Sequence, residues 1–236
     1  MENKSGKTKR PWSLTTNRFV CFLDIMGFKD MVMRNSHESI YKMLNDFSKK
    51  RDTLDGAISL PKQYETDSLK TVSFSDSIVI FTKEDTKECL ELLTLATSWL
   101  FAKAIEAGIP LKGAIAHGTM SINVSRQIFF GQPLIDAYLL EEEVEFYGIV
   151  IHNTTEKKLN EYATFKGIEM YKDCNVPLKS GRIQHYTLDW VTGVEGKDES
   201  IKEKSLALMK KQREQTSGRP RKYIDNTISV INQIYE

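Results

Sequence analysis

Cysteine is scarce in this 236-residue chain: Cys21, Cys89 and Cys174 lie far apart, form no CxxC pair and leave an odd one over. That argues against a disulfide scaffold and is the usage of a reducing compartment, so free thiols are expected. Histidine is nearly as rare. His37, His117, His152 and His185 show no zinc-finger or metalloprotease spacing, which gives a zinc site little support. An excess of one charge is also lacking: 33 basic against 32 acidic residues leave a formal net charge of +1. No global field therefore points to nucleic acid, a membrane surface or an acidic substrate. No apolar run reaches the roughly 18 to 20 residues that span a bilayer, and the opening "MENKSGKTKRPW" lacks the apolar segment of a signal peptide. A cytoplasmic protein without membrane contact is expected. Internal repeats and low-complexity tracts are absent.

What is present is a globular composition, 40% hydrophobic and 28% charged, in a chain long enough to bury a full core. Residues 1–17 read as a flexible basic arm, 18–195 as the main domain, and 196–236 as a charged helical extension. "RFVCFLDI" has the β-enrichment of a buried strand, and Gly27 breaks it. After Ser36, a good N-cap, Ile40, Met43, Leu44 and Phe47 recur at helical spacing as far as "DTLDG". "SLKTVSFSDSIVIF" reads as an antiparallel hairpin with Asp76 at its turn. Asp85 to Ala107 is a helix, with Asp85 and Glu88 resembling a capping box. "PLKGAIAHGTM" reads as a strand, "GQPLIDAYLLEEEVE" as a helix entered through Gly131 and Pro133, "YGIVIHN" as a strand and "TTEKKLNEYATFK" as a helix capped by Thr154 or Thr155. "HYTLDWV" is the final strand, and the pairs Phe129–Phe130 and Tyr186–Trp190 read as core. Ile224, Ile228, Ile231 and Tyr235 form a stripe on a last helix that packs back or meets a second subunit. This order fits an α+β sandwich, helices packed on a mostly antiparallel sheet.

Two acids sit at strand ends. Asp24 closes the first strand and Asp76 lies in the hairpin, so pairing of those strands would bring both carboxylates to one sheet edge. Bare carboxylates there repel, and a divalent cation removes the conflict. Mg²⁺ and Mn²⁺ take oxygen ligands, and Mg²⁺ is usually shared between one or two carboxylates and substrate phosphates. The turn through Met26, Gly27 and Phe28 could offer backbone N–H groups to a triphosphate. The plainer alternative makes Asp24 an N-cap and Asp76 an ordinary turn residue.

"FLDIMGF", "FSDSIVIF", "GAIAHG" and "FGQPLIDAYLLEEE" resemble, in order and spacing, the core blocks of the class III nucleotidyl cyclases, and look closest to the bacterial Pycsar pyrimidine cyclases. The similarity covers about residues 18 to 190. It implies a ferredoxin-like βαββαβ core in a head-to-tail homodimer with active sites at the interface. It also implies cyclisation of UTP or CTP to a 3′,5′-cyclic mononucleotide that switches on a downstream effector in anti-phage defence. By motif, Asp24 and Asp76 match the two metal-binding, catalytic aspartates, and Ile25 the residue that lends a backbone carbonyl, for two Mg²⁺ or Mn²⁺ ions per site. Lys70 matches a base-contacting lysine and Lys179 a triphosphate-binding lysine, although each also reads as a solvent-facing residue.

The sequence departs from purine cyclases where Ile135 and Leu139 fill the slots of the transition-state asparagine and arginine and Ile128 falls near the adenine-reading aspartate. This counts against ATP and GTP, and leaves Lys112, Arg126 and Arg182 as unranked candidates for the charge-stabilising cation. "EFYGIVI" also lacks an expected Pro-Arg pair. His117 could touch substrate, though a strand-end histidine bonded to backbone fits as well. The "KKQREQTSGRPRK" run reads as a solvated face without stable nucleic-acid binding. Rival functions are a purine cyclase, a diguanylate-type cyclase, for which no "GGDEF" is present, and a degenerate cyclase fold kept as a nucleotide-binding or dimerisation module.

Overall fold

Along β1 (Thr15–Ile25) side chains alternate between two surfaces, as the two-residue period of a strand requires. Phe19, Cys21, Leu23 and Ile25 enter the main core, while Val20 joins a second apolar cluster and Phe22 and Asp24 stay half-buried. This is a computed structural model that describes residues 11–52, 68–162, 164, 167–194 and 198–236. β1 is central, pairing antiparallel with β3 (Ser77–Thr82) and with β4 (Leu111–Asn123). β2 (Leu69–Phe74) joins β3 through the turn Ser75–Asp76, where Ser75 takes φ 56°.

Between β1 and β2 lie α1 (Phe28–Arg34) and α2 (His37–Asp52); between β3 and β4 lies α3 (Lys87–Glu106). These elements make the expected βαββαβ core with strand order β2-β3-β1-β4. Ser36 caps α2 as expected, its hydroxyl accepting the Ser39 N–H at 3.2 Å. The end of that helix beyond Asp52 lies outside the described residues, as does the arm before Pro11. α3 buries Leu90, Leu93, Leu100, Phe101 and Ile105 completely, and truncating one of these leucines to alanine costs about 2–5 kcal/mol. Its cap differs from expectation. Thr86 accepts the Cys89 N–H at 3.3 Å, leaving Asp85 to reach His117 Nε2 at 3.1 Å.

The chain continues through β5 (Ile128–Gly131), which pairs with β4, α4 (Gln132–Glu143), β6 (Ile149–Ile151), α5 (Asn153–Tyr162), β7 (Tyr171–Leu178) and β8 (Gly181–Leu188). The sheet has eight strands, and only β4 with β6 runs parallel among the described residues. Thr154 and Thr155 lie inside the first turn of α5; Thr154 instead accepts the His117 N–H at 3.0 Å. Phe130 proves 62% exposed rather than core, because β5 presents alternate residues outward, whereas Trp190 is buried. The three cysteines are buried free thiols.

Two C-terminal helices, α6 (Asp198–Glu214) and α7 (Arg219–Ile234), pack back onto this domain. Met209, Tyr223, Ile224 and Ile231 belong to the main core, and the Thr227 hydroxyl accepts the Tyr147 N–H at 2.8 Å. No helix among the described residues is long and apolar enough to cross a membrane.

Candidate active site

Asp24 stands directly across from Ser77 in the β1–β3 ladder, and Asp76 is the residue before Ser77. Strand register alone thus brings the two acids together. The Ile25 N–H locks this arrangement by donating to the Asp76 carbonyl at 2.9 Å. Burial first, then the like charge of Asp76, hold the Asp24 carboxyl above its ordinary range, while Lys112 pulls it back. Both acids are half-buried, and no hydrogen bond reaches either carboxylate among the described residues.

Lys112 is the β4 residue facing Asp24, but its charge is already engaged. Its Nζ lies 2.9 Å from Glu141 Oε1 and donates to the Glu141 carbonyl at 3.0 Å. Both side chains are nearly enclosed, and burial pushes the Glu141 carboxyl up to about 7 against the pull of Lys112. α4 brings Glu141 here by lying on the Asp24 face of the sheet, where Tyr138 meets Phe22 edge-on at 5.5 Å. Nothing in the local sequence links residues 112 and 141.

The turn after β1 is partly committed. The Met26 N–H donates to the Pro110 carbonyl at 2.9 Å, and Phe28 packs against the main core. Gly27 adopts φ 69°, a left-handed conformation that disfavours other residues, although open space surrounds the position of a Cβ. Beside this turn is a cavity of about 430 Å³, lined by Asp24, Met26, Gly27 and Lys112 together with Tyr147, Arg219 and Tyr223.

The remaining sequence candidates are dispersed. Lys70 lies six residues before Asp76, at the far end of the hairpin, with its ammonium 4.7 Å from the Trp12 ring centre rather than facing open solvent. Lys179 occupies the exposed β7–β8 turn, and its N–H donates to the Glu143 carbonyl at 2.8 Å, two residues beyond Glu141. Arg126 sits between β4 and β5, and Arg182 donates to the Asn175 carbonyl at 3.3 Å, so neither lines the cavity. His117 is held by Asp85, with burial lowering its proton affinity. Sequence reasoning missed Glu141 as the partner of Lys112 and Arg219 as a cavity residue. The "TSGRP" breaker before α7 was the available signal for the second.

Ile135 and Leu139 are 52% and 53% exposed on the outer face of α4, with Ile128 and Phe130 exposed on β5. Phe74, beside the Ser75–Asp76 turn, is 84% exposed. Phe74 thus stands beside the acid pair, whereas β5 pairs with Met120–Asn123, at the other end of β4 from Lys112 and Asp24.

The acid pair suits a hard divalent cation: two oxygen donors, mutual repulsion, and no protein hydrogen bond to relieve it. Among the described residues no group of three or more His, Cys, Asp or Glu forms a metal cage. Two carboxylates leave coordination positions for ligands from outside the chain.

The sequence matches no family model and no curated protein. Solved structures do match. The guanylate cyclase domain of RhGC from Catenaria anguillulae, in complex with GTP, superposes with TM-score 0.55 at 15% identity over 73% of this chain and 96% of that one. A rhodopsin-guanylyl cyclase core of converted specificity, in complex with ATPalphaS, gives 0.52 at 16% identity over 73% and 94%. The adenylyl cyclase CyaB from P. aeruginosa gives 0.53 at 14% identity over 78% and 96%. At these identities the likeness concerns architecture: this chain has the class III cyclase fold.

Proposed function

We propose that this protein is a metal-dependent nucleotidyl cyclase that converts UTP or CTP into the 3′,5′-cyclic monophosphate and pyrophosphate, acting as a homodimer with sites at the interface. The observation that carries this reading is the juxtaposition of Asp24 and Asp76 by the β1–β3 register, with Asp24 lining a cavity of about 430 Å³. In the reaction the ribose 3′-oxygen bonds the α-phosphorus as its proton leaves, and the bond from that phosphorus to the pyrophosphate oxygen breaks. Asp24, Asp76 and the Ile25 carbonyl would hold two Mg²⁺ or Mn²⁺ ions. When bound, such ions lower the proton affinity of the attacking hydroxyl and neutralise the triphosphate.

The chain's own share is positioning. The Ile25–Asp76 bond fixes the spacing of the two acids, and the β1 backbone holds Asp24 against Lys112. No covalent intermediate with the protein is required. Lys70, Met26, Gly27, Phe28 and Lys179 are proposed substrate contacts. Lys70 stands apart from the acid pair within one chain, so its role rests on a second protomer.

By the resemblance, Ile128, Ile135 and Leu139 stand in or near slots that are polar in the purine cyclases, which counts against ATP and GTP and supports a pyrimidine. The solved guanylyl and adenylyl cyclases of this fold favour a second reading, a purine cyclase. A role for the product as an anti-phage second messenger belongs to the first reading. Incubating the purified protein with each of the four NTPs and Mn²⁺ and weighing the products tests both. Cyclic UMP or CMP is expected, cyclic AMP or GMP alone would replace the substrate assignment, and no turnover would leave a binding module.

A further inference from the structure

We propose that Arg219, the first residue of α7, is a substrate-binding residue through which the C-terminal extension grips the polyphosphate tail of the nucleotide. This inference rests on the nucleotide-cyclase reading of the cavity beside Asp24 and adds a residue to it. Arg219 lines that cavity together with Gly27, so the extension and the strand-end turn border one space.

Charge narrows the choice of ligand. The cavity carries Asp24 and Asp30, and Lys112 is engaged with Glu141. Of the basic residues near the α6–α7 junction, Lys222 pairs with Glu145 and Arg213 with Asp225. Among the described residues no carboxylate pairs with Arg219. It is thus the cavity's uncommitted cation, and a planar guanidinium matches phosphate oxygens with two parallel donors.

The arginine is also supported. Its Nη2 lies 3.4 Å from the Tyr223 hydroxyl, and its guanidinium carbon is 5.9 Å from that ring's centre. Tyr223 is buried and stacks on Tyr147 at 6.5 Å with planes 15° apart. A stacked aromatic pair beside an exposed guanidinium restrains it while leaving its other donors available. An acidic cavity with one free arginine suits a ligand that arrives as a metal-bound polyphosphate, in which cation and anion meet both signs of charge.

Full-length Arg219→Gln and Arg219→Lys proteins test this, with Lys222→Ala as comparator and thermal melts to verify folding. KM for the nucleotide is expected to rise roughly tenfold to a hundredfold in Arg219→Gln with kcat little changed, the loss of one charged hydrogen-bonding group. Arg219→Lys should recover part of the loss, and Lys222→Ala should behave as the natural protein. Inorganic tripolyphosphate with Mn²⁺, followed by calorimetry, should bind more weakly to Arg219→Gln by the same factor. Cyclase activity with unchanged KM and unchanged tripolyphosphate affinity in Arg219→Gln overturns this proposal and leaves the cyclase reading intact. Arg219-dependent tripolyphosphate binding without turnover of any NTP overturns the cyclase reading and keeps the polyphosphate site. Wild-type protein that neither binds tripolyphosphate nor turns over an NTP overturns both.

Discussion

Asp24 and Asp189 are both carboxylates whose proton affinity is raised chiefly by burial, and the fold treats them in opposite ways. Asp189, enclosed after β8, accepts the Tyr235 hydroxyl at 2.9 Å and the Val191 N–H at 3.0 Å. Asp24 accepts no such donor among the described residues and faces a second acid instead. Desolvating a charge without a partner costs several kcal/mol, so a carboxylate kept for structure is given hydrogen bonds. Asp24, beside another acid and lining a cavity, has no such donor among the described residues, and the proposed divalent cations would compensate it from outside the chain.

Removing each acid should therefore give contrasting results. If the proposed cyclase works by charge placement, Asp24→Ala or Asp76→Ala is expected to reduce turnover by about 1,000-fold or more. The melting temperature should stay level or rise as repulsion is relieved. Near wild-type turnover in either variant would remove the assignment. Asp189→Ala should do the reverse, losing roughly 1–3 kcal/mol of unfolding free energy as Tyr235 and Val191 lose their acceptor. Turnover per folded molecule should survive, as denaturant titration beside an activity assay would show.

Gly27→Ala sharpens the contrast at the turn itself. Forcing a side chain into φ 69° costs about 1–2 kcal/mol, although no neighbour crowds it. A moderate fall in stability with a larger fall in nucleotide affinity is expected. Equal affinity in the two proteins would mean that the turn merely connects strand to helix.

The smallest effect concerns a histidine held by one acid. Burial depresses the His117 pKa below its ordinary 6.5, with Asp85 opposing. The folded state then binds fewer protons than the unfolded chain just below pH 6.5, so this histidine's contribution is present above that pH and lost as pH falls through the folded pKa. The melting temperature of the wild-type protein should fall relative to His117→Gln between pH 7.5 and pH 5.5. A gap that stays constant, or moves the other way, would reverse the assigned shift.

Much of the central core was legible because its signals are local. The alternation of β1, the small polar turn at Asp76 and the stripe of α3 each specify an element without reference to the rest of the chain. β5 escaped because "IFFG" is four residues long and half outward-facing. β7 escaped because "YKDCNVPL" contains Pro177 and interspersed polar residues, tolerated in a strand at the edge of the sheet. The acid pair could be read only as far as strand pairing could be guessed. The pairing of Lys112 with Glu141 and the placement of Arg219 depend on helices folding back across the sheet, and no periodicity records that.

Binding of Mn²⁺ by the acid pair is the most direct test of the account, measured by electron paramagnetic resonance of the free ion in the presence of saturating UTP or CTP. Wild-type protein is predicted to retain two protein-dependent Mn²⁺ ions per site and the Asp24→Asn/Asp76→Asn double variant to lose them. Identical Mn²⁺ uptake by both proteins would contradict the claim that these two acids share divalent cations.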